Sequence, residues 1–435
     1  FDKIYILNLH GNSIKKETAP DGSKDENVFD IRIGVSIIIA IKKSADIKWS
    51  QVKYAELYGT RNNKFKALDN NEVQFIDITP DKEKALFIPQ ISNGMSNYEQ
   101  GISLLELFPA TTTGIDTGND EFALSNDKNM ILNKIDIIKN AQYDNEILEL
   151  IGKLYYGQTI EKLKYDVKTD GNIVKVDYRP FEQKYTYYTG ISGGWLSRPR
   201  DKDIMMSLNK IPDNFAITYQ KQGNKKWRDI FVAKNIIDSH YIGSKTYIAP
   251  FILNIDEFTN EKIYNINENV AQTLTQNLNR KIEPKDIFDY CYGILNNPQY
   301  IKENNDFLIR DCPRIPIIEN EIMFKKYVEY GSQLRELHLM KNNIQKELTL
   351  ECCNNNLLIE NVKYQNGKLN INKETSILGI TEDVYNYYLG GYQVIDKWLK
   401  SHKGENLTID SFNHIKKIVG IIEETIKIQE KLEKE

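Results

Sequence analysis

The first 43 residues set the tightest condition on the fold. An apolar run at Ile4-Tyr5-Ile6-Leu7 is followed by a polar, charged loop, then by Asn27-Val28-Phe29-Asp30-Ile31, then by a second apolar run over 34–41 that closes on Lys42-Lys43. Continuous apolar runs of this length read as strands buried on both faces, the kind that build an α/β sheet. Two of them joined by a polar excursion read as the closing hairpin of such a sheet. The expectation is therefore a piece of a longer polypeptide whose earlier strands complete that sheet.

Composition bounds the rest. At 435 residues there is room for two or three domains, and 40% hydrophobic with 27% charged residues is ordinary for a globular protein. A net charge of −4 and a pI near 5.9 exclude a uniformly basic nucleic-acid coat, so any DNA contact has to come from a local patch. Cys291, Cys312, Cys352 and Cys353 lack zinc spacing and suit a reducing cytoplasm. The Cys352-Cys353 pair reads as an inert strand feature, and no metal site is expected. No apolar run approaches the roughly 18 residues of a membrane span, and no membrane partner is expected.

The pattern along the chain is mixed. Val73-Gln74-Phe75-Ile76 and Ala85-Leu86-Phe87-Ile88-Pro89 read as strands, and 102–107 as a buried segment. Ile131, Ile135, Ile138, Ile147, Leu150, Ile151 and Leu154 recur at helical spacing, so helix dominates 129–156. Strands resume at Ile173-Val174-Lys175-Val176 and continue to about Leu253. From Pro284 the reading is mainly helical. Asn297-Pro298 fits an N-cap and first helical position, and a last helix follows Thr408 with Phe412, Ile415, Ile418, Val419, Ile422 and Ile426 on one stripe. Between them Asn366-Gly367 predicts a β-hairpin near 362–371. The fold class is α+β: a terminal hairpin over 1–44, a mixed region over 45–283 and a mainly helical part over 284–435.

The best nucleic-acid candidate is 175–228, with eleven Lys/Arg against five Asp/Glu. Tyr178, Phe181, Tyr185, Tyr187, Tyr188, Trp195, Phe215, Tyr219 and Trp227 are interleaved with them. Basic side chains follow phosphates and flat rings face bases. The DNA-binding candidates are Arg179, Lys184, Arg198, Arg200, Lys221, Lys225, Lys226 and Arg228. Arginine suits base edges because its fork pairs bidentately with guanine, whereas lysine suits phosphate. The plainer reading, solvated charges above core aromatics, stays open. The five histidines are scattered, and no P-loop or nuclease-like carboxylate cluster is evident.

Several strings resemble one family in a common order. They are Phe1-Asp2-Lys3-Ile4-Tyr5-Ile6-Leu7-Asn8-Leu9-His10-Gly11-Asn12, Thr113-Gly114-Ile115-Asp116-Thr117, Tyr178-Arg179-Pro180-Phe181, Ile287-Phe288-Asp289-Tyr290, Asp311-Cys312-Pro313-Arg314-Ile315-Pro316, and Gly390-Gly391-Tyr392-Gln393-Val394 with Lys397-Trp398-Leu399. They resemble the end of the amino-methyltransferase domain and the target-recognition domain of Type ISP restriction–modification enzymes. In that family one polypeptide carries nuclease, translocase, adenine methyltransferase and recognition domain. The resemblance implies sequence-specific recognition of double-stranded DNA by 45–435. It also implies that the upstream methyltransferase, translocase and nuclease are partners within the same polypeptide. The parent enzyme would methylate the exocyclic amine of adenine using S-adenosylmethionine, with restriction activity elsewhere in it. Relatives carry Asp then Arg after Arg-Pro-Phe, where this chain has Glu182 and Lys184, and Arg where it has Asn119.

The resemblance also places Phe29 where related methyltransferases set an aromatic ring against the extruded adenine. Packing under the hairpin is the open alternative. No cofactor is expected on this chain: neither the Gly-rich cofactor turn nor an Asp/Asn-Pro-Pro-aromatic tetrapeptide is in it, and Asn297-Pro298-Gln299-Tyr300 lacks the second proline. Gly391-Tyr392-Gln393 and Lys397-Trp398-Leu399 read as a helix start docked on the core. A non-enzymatic module binding carbohydrate or protein through the same aromatics is the alternative function. A separate specificity subunit is a lesser one, because no internal repeat is visible.

Overall fold

The computed structural model describes residues 1–14, 17–43, 50–80, 87–89, 98–223 and 226–434. They form two compact units, 1–97 and 98–435.

The smaller unit is built on Lys3–Asn8. This strand pairs antiparallel with Ser36–Ile41 and parallel with Gln51–Glu56, to which Ile76–Ile78 adds antiparallel. One face is closed by Leu7, Leu9, Val28 and Ala55, the other by Ile6, Val52 and Tyr54. The helix Arg61–Asp69 starts where the Thr60 hydroxyl accepts from Asn63 N–H. From it the buried Lys64 ammonium reaches inward, donating to Leu9 O at 2.6 Å and Glu26 O at 2.7 Å and pairing with Asp25 at 2.8 Å. Asp25 also accepts from Gly11 N–H and Gly59 N–H. A Cβ on Gly11, which has φ +81°, would lie 2.4 Å from Asn27 Cα, so the return of the loop needs glycine here.

Two readings of this unit need correction. The 34–41 run forms the expected strand, but Ile37, Ile38 and Ile39 are 40%, 66% and 56% exposed. Ser36–Ile41 is the edge strand, hydrogen-bonded along one side only, and both its faces are open. The strand expected at 73–76 begins only at Ile76. Residues 85 and 86 lie outside the described residues, and Phe87, Ile88 and Pro89 are not in a strand.

In the larger unit the central sheet orders Ile230–Ala233, Ala216–Tyr219, Tyr247–Pro250 and Thr112–Thr113. A second sheet sets Asn172–Arg179 between Ile236–Ile237 and Glu182–Tyr188. The helical segment expected over 129–156 is two helices, Lys128–Asn140 and Asp144–Ile151, burying Ile131, Ile135, Ile138, Ile147 and Ile151. The segment at 102–107 is buried but divides into Ile102–Ser103 and the helix Leu104–Leu107.

Beyond residue 284 the helices Pro284–Leu295 and Glu321–His338 cross in close contact. Glycine makes that possible: a Cβ on Gly331 would lie 1.8 Å from Asp289 O, and one on Gly293 2.4 Å from Tyr327 O. Across the crossing Arg335 Nε donates to Asp289 Oδ1 at 2.6 Å and Nη2 to Oδ2 at 3.1 Å. Asn297 caps Pro298–Leu308 by accepting from Gln299 and Tyr300 N–H, and Thr408 caps Ile409–Leu432. The Asn366-Gly367 turn joins Lys363–Gln365 to Lys368–Asn370, both turn residues having positive φ. That hairpin is half of a four-stranded sheet completed by Thr349–Cys352 and Thr375–Leu378. Cys352 closes one of these strands, and Cys353 lies beyond it, exposed. Among the described residues no helix is long and apolar enough to cross a membrane.

Candidate nucleic-acid interface

Phe29 lies on the loop anchored by Lys64 and Asp25 and is 55% exposed, which excludes packing under the hairpin. Its turn is clamped by Arg61, which the sequence did not single out. Arg61 Nε donates to Asn27 O at 2.9 Å, and its Nη2 donates to Phe29 O at 3.0 Å and Asp30 Oδ1 at 2.8 Å. Asn27 adds a bond from Phe29 N–H to its Oδ1. The ring is therefore presented to solvent from a fixed backbone.

The aromatics of 175–228 are mostly core. Phe181, Tyr187, Tyr188, Trp195, Phe215, Tyr219 and Trp227 are buried, leaving only Tyr178 and Tyr185 partly open. Strand alternation sends every second side chain inward, so interleaving along the sequence becomes separation in space. The buried seven offer neither bases nor sugars a stacking face.

The basic candidates divide among three places. Arg179 follows a bulge in which Asp177 pairs with Gln183 but Arg179 with Glu182, a shift that re-aims the strand end. Its guanidinium is turned in on the protein: Nη1 donates to Asp238 Oδ1 at 2.6 Å, and the guanidinium carbon lies 3.9 Å from the Tyr178 ring centre. Burial pushes the Asp238 carboxyl pKa up, and Arg179 pulls it back. Lys184 Nζ lies 4.4 Å from the same ring, with Glu182 at 3.7 Å.

Arg200 and Lys221 lie near Tyr247, and Arg198 near Arg200. Arg198 is exposed, pairs through its backbone with Asp116 and lies 5.6 Å from the Tyr156 ring. Arg200 has φ +70°, a strained conformation for a side chain of its size, and its Nε donates to Gly114 O at 3.0 Å. Burial lowers the Arg200 pKa; Asp116 opposes this shift and Arg198 adds to it. Lys221 Nζ sits 4.3 Å from the Tyr247 ring. The third place holds Lys226 and Arg228, both exposed, with Arg228 5.5 Å from the Tyr388 ring. Lys225 lies outside the described residues.

A shallow groove of about 380 Å³ is lined by neighbours of the first two places. Asp116, Asp120, Glu121, Tyr155, Asp238 and His240 line it. Asp116 belongs to the Arg198 side, and Asp238 to the Arg179 side. Carboxylates beside an exposed histidine set acceptors and a donor side by side, as base-edge readout requires. The sequence carried no signal for this groove, because its walls come from three loops, at 116–121, around 155 and at 238–240, that no local pattern joins.

The helix start at Tyr392 and Lys397 docks as expected, with Trp398 and Leu399 buried. However, it also adds surface groups to the Arg179 side. Lys397 Nζ lies 5.2 Å from the Tyr392 ring, and the Tyr392 hydroxyl donates to His240 O at 2.9 Å.

Comparison with known proteins bears on this arrangement. No curated protein matches the chain. Among solved structures it is similar to the ATP-dependent Type ISP restriction-modification enzyme LlaBIII bound to DNA, with 22% identity and a TM-score of 0.74 over 99% of this chain and 31% of that one. It is also similar to DrdV in a DNA complex, with 19% identity and a TM-score of 0.69 over 99% of this chain and 47% of that one. A nuclease-deletion mutant of the Type ISP enzyme LlaGI in complex with a DNA substrate mimic gives 22% identity and a TM-score of 0.67, over 100% of this chain and 43% of that one. The chain thus spans less than half the length of each, and at these identities the likeness is one of fold. Residues 106–431 match the family model described as the Type ISP C-terminal specificity domain. The matched region holds both cation sets and the groove, and the chain belongs to that family.

Proposed function

We propose that this chain recognises a specific sequence in double-stranded DNA as the specificity region of a restriction–modification enzyme. The observation that carries the reading is the groove lined by Asp116, Asp120, Glu121, Asp238 and His240, with Arg198 bridged through its backbone to Asp116 and Arg179 paired with Asp238. Arg198 and Arg200 are assigned to base edges and Lys221 to phosphate, following the geometry of their donors. Lys226 and Arg228 serve a separate phosphate contact. Arg179, held by Asp238, orders the groove wall more than it reaches outward.

In the same proposal the 1–97 unit, whose sheet runs on through Gln51–Glu56 and Ile76–Ile78, belongs to an adenine methyltransferase that uses S-adenosylmethionine, and 98–435 form the recognition region. Phe29, exposed and held by Arg61, is positioned to stack on an extruded adenine, which offsets part of an unstacking cost of a few kcal/mol. Translocase and nuclease parts act from the same polypeptide on DNA in the bacterial cytoplasm.

The test is fluorescence anisotropy of the purified chain with mixed-sequence duplexes over a salt series. Phosphate contacts release counterions, so affinity should fall steeply, with roughly 0.9 log units lost per contact for each tenfold rise in salt. Absence of binding, or binding indifferent to salt, would count against the reading.

A further inference from the structure

We propose that Lys397, supported by Lys184, contacts a backbone phosphate of duplex DNA beside the groove. The inference rests on the DNA-binding reading above and adds a residue that the basic stretch at 175–228 does not contain.

Three cations share two tyrosine rings. Lys184 and Arg179 lie 4.4 and 3.9 Å from Tyr178, and Arg179 and Lys397 lie 5.8 and 5.2 Å from Tyr392. The charges are unequally matched. Arg179 has Asp238 at 2.6 Å, and Lys184 has Glu182 at 3.7 Å. Among the described residues Lys397 forms no ion pair.

The carboxylates around it are otherwise engaged. Asp396 pairs with Lys400 at 2.8 Å, Glu182 accepts from the Ser401 hydroxyl at 3.1 Å, and Asp120 accepts from the Tyr178 hydroxyl at 2.7 Å. Burial lowers the Lys397 pKa and Arg179 lowers it further, against the pull of those carboxylates. A second donor is also short of a partner: Arg179 is 9% exposed, and its Nε has no hydrogen-bond acceptor among the described residues. A bound anion would relieve the repulsion at Lys397.

The position argues for a DNA phosphate over a free one. Tyr392 bonds to His240 O and Arg179 to Asp238, and His240 and Asp238 both line the groove. A strand whose bases enter that groove would carry its phosphates along this side. An ammonium is a point donor and suits a phosphate oxygen better than a base edge.

The experiment compares the chain with its Lys397→Gln and Lys397→Arg variants on a selected duplex and a scrambled one over a salt series. Thermal unfolding checks that the fold is kept. The expected result is that Lys397→Gln weakens both duplexes alike, by about five- to tenfold near 0.1 M salt, and makes the salt slope shallower by about one unit. Lys397→Arg should retain both affinity and slope. Unchanged affinity and slope in Lys397→Gln, while the unmodified chain binds DNA, would overturn the proposal and leave the general reading standing. A loss confined to the selected duplex at constant slope would make Lys397 a base contact and would also overturn it. So would Lys397-dependent binding of inorganic phosphate with no change in duplex affinity. If the unmodified chain binds neither duplex, both readings fall.

Discussion

Replacing Asp289 by alanine should destabilise the larger unit by about 3 kcal/mol, the lower end of the 3–5 kcal/mol expected when one partner of a buried ion pair is removed. Both side chains of the Asp289–Arg335 pair are 1% exposed, and the contact is bidentate at 2.6 and 3.1 Å. Without the carboxylate, Arg335 keeps the Ser332 hydroxyl at 3.1 Å, the carboxylate of Glu336, which is 32% exposed, and the Phe215 ring at 4.8 Å. Those residual partners are why the lower figure is expected. The Lys285 contact at 3.2 Å is lost too, but Lys285 is half exposed, so this adds less than about 1 kcal/mol. Combining Asp289→Leu with Arg335→Met removes both charges and should return stability to within about 1 kcal/mol of the unmodified chain, roughly 2 kcal/mol better than Asp289→Ala alone. Urea unfolding followed by fluorescence of the buried Trp195, Trp227 and Trp398 measures this. A cost below about 1 kcal/mol for Asp289→Ala, or a double variant no more stable than the single one, would refute the argument.

Gly331→Ala should cost at least about 1–3 kcal/mol, because the added Cβ would lie 1.8 Å from Asp289 O and force the two helices apart; an unchanged urea midpoint would contradict this. Burial depresses the pKa of His338 from 6.5 to about 3, its nitrogens being held by the Tyr292 and Thr425 hydroxyls. The unfolded chain therefore takes up the proton first. Stability is fully present above pH 6.5 and falls as pH drops toward 3, by up to roughly 1.4 kcal/mol per unit. His338→Gln should flatten that slope in pH-dependent unfolding, and an equal slope in both proteins would exclude the mechanism. Arg198→Ala and Arg200→Ala should each cost about 1–3 kcal/mol on the selected duplex and little on a scrambled one, whereas Lys226→Ala should weaken both alike; competition binding distinguishes the two patterns.

The features legible in the sequence were the local ones. Asn366-Gly367, Asn297-Pro298 and Thr408 each act within four residues, and each turn or cap lies where its residue types require. The partners of Thr349–Cys352 and Thr375–Leu378 were missed, because these short strands pair with each other and with the hairpin across a chain separation that no local pattern encodes. The apolar run at 36–41 misled for a related reason. Apolar character marks a strand for burial but does not say whether anything within the unit covers it, and here both faces are open. At the interface, the basic residues were found but their surroundings were not. Tyr178 and Trp195 look alike in a window of sequence, yet one ring carries two cations and the other is core. Arg61 gave no signal of its own, and Lys397 was read only as part of a docked helix start, since their roles come from what the fold sets beside them.

The central claim, that this chain reads a DNA sequence, is tested most directly by selecting bound duplexes from a randomised pool with the purified chain at near-physiological salt. The account predicts enrichment of one asymmetric sequence, lost when Arg198 and Arg200 are replaced by alanine. Recovery of an unenriched pool, from a chain shown to be folded, would contradict it.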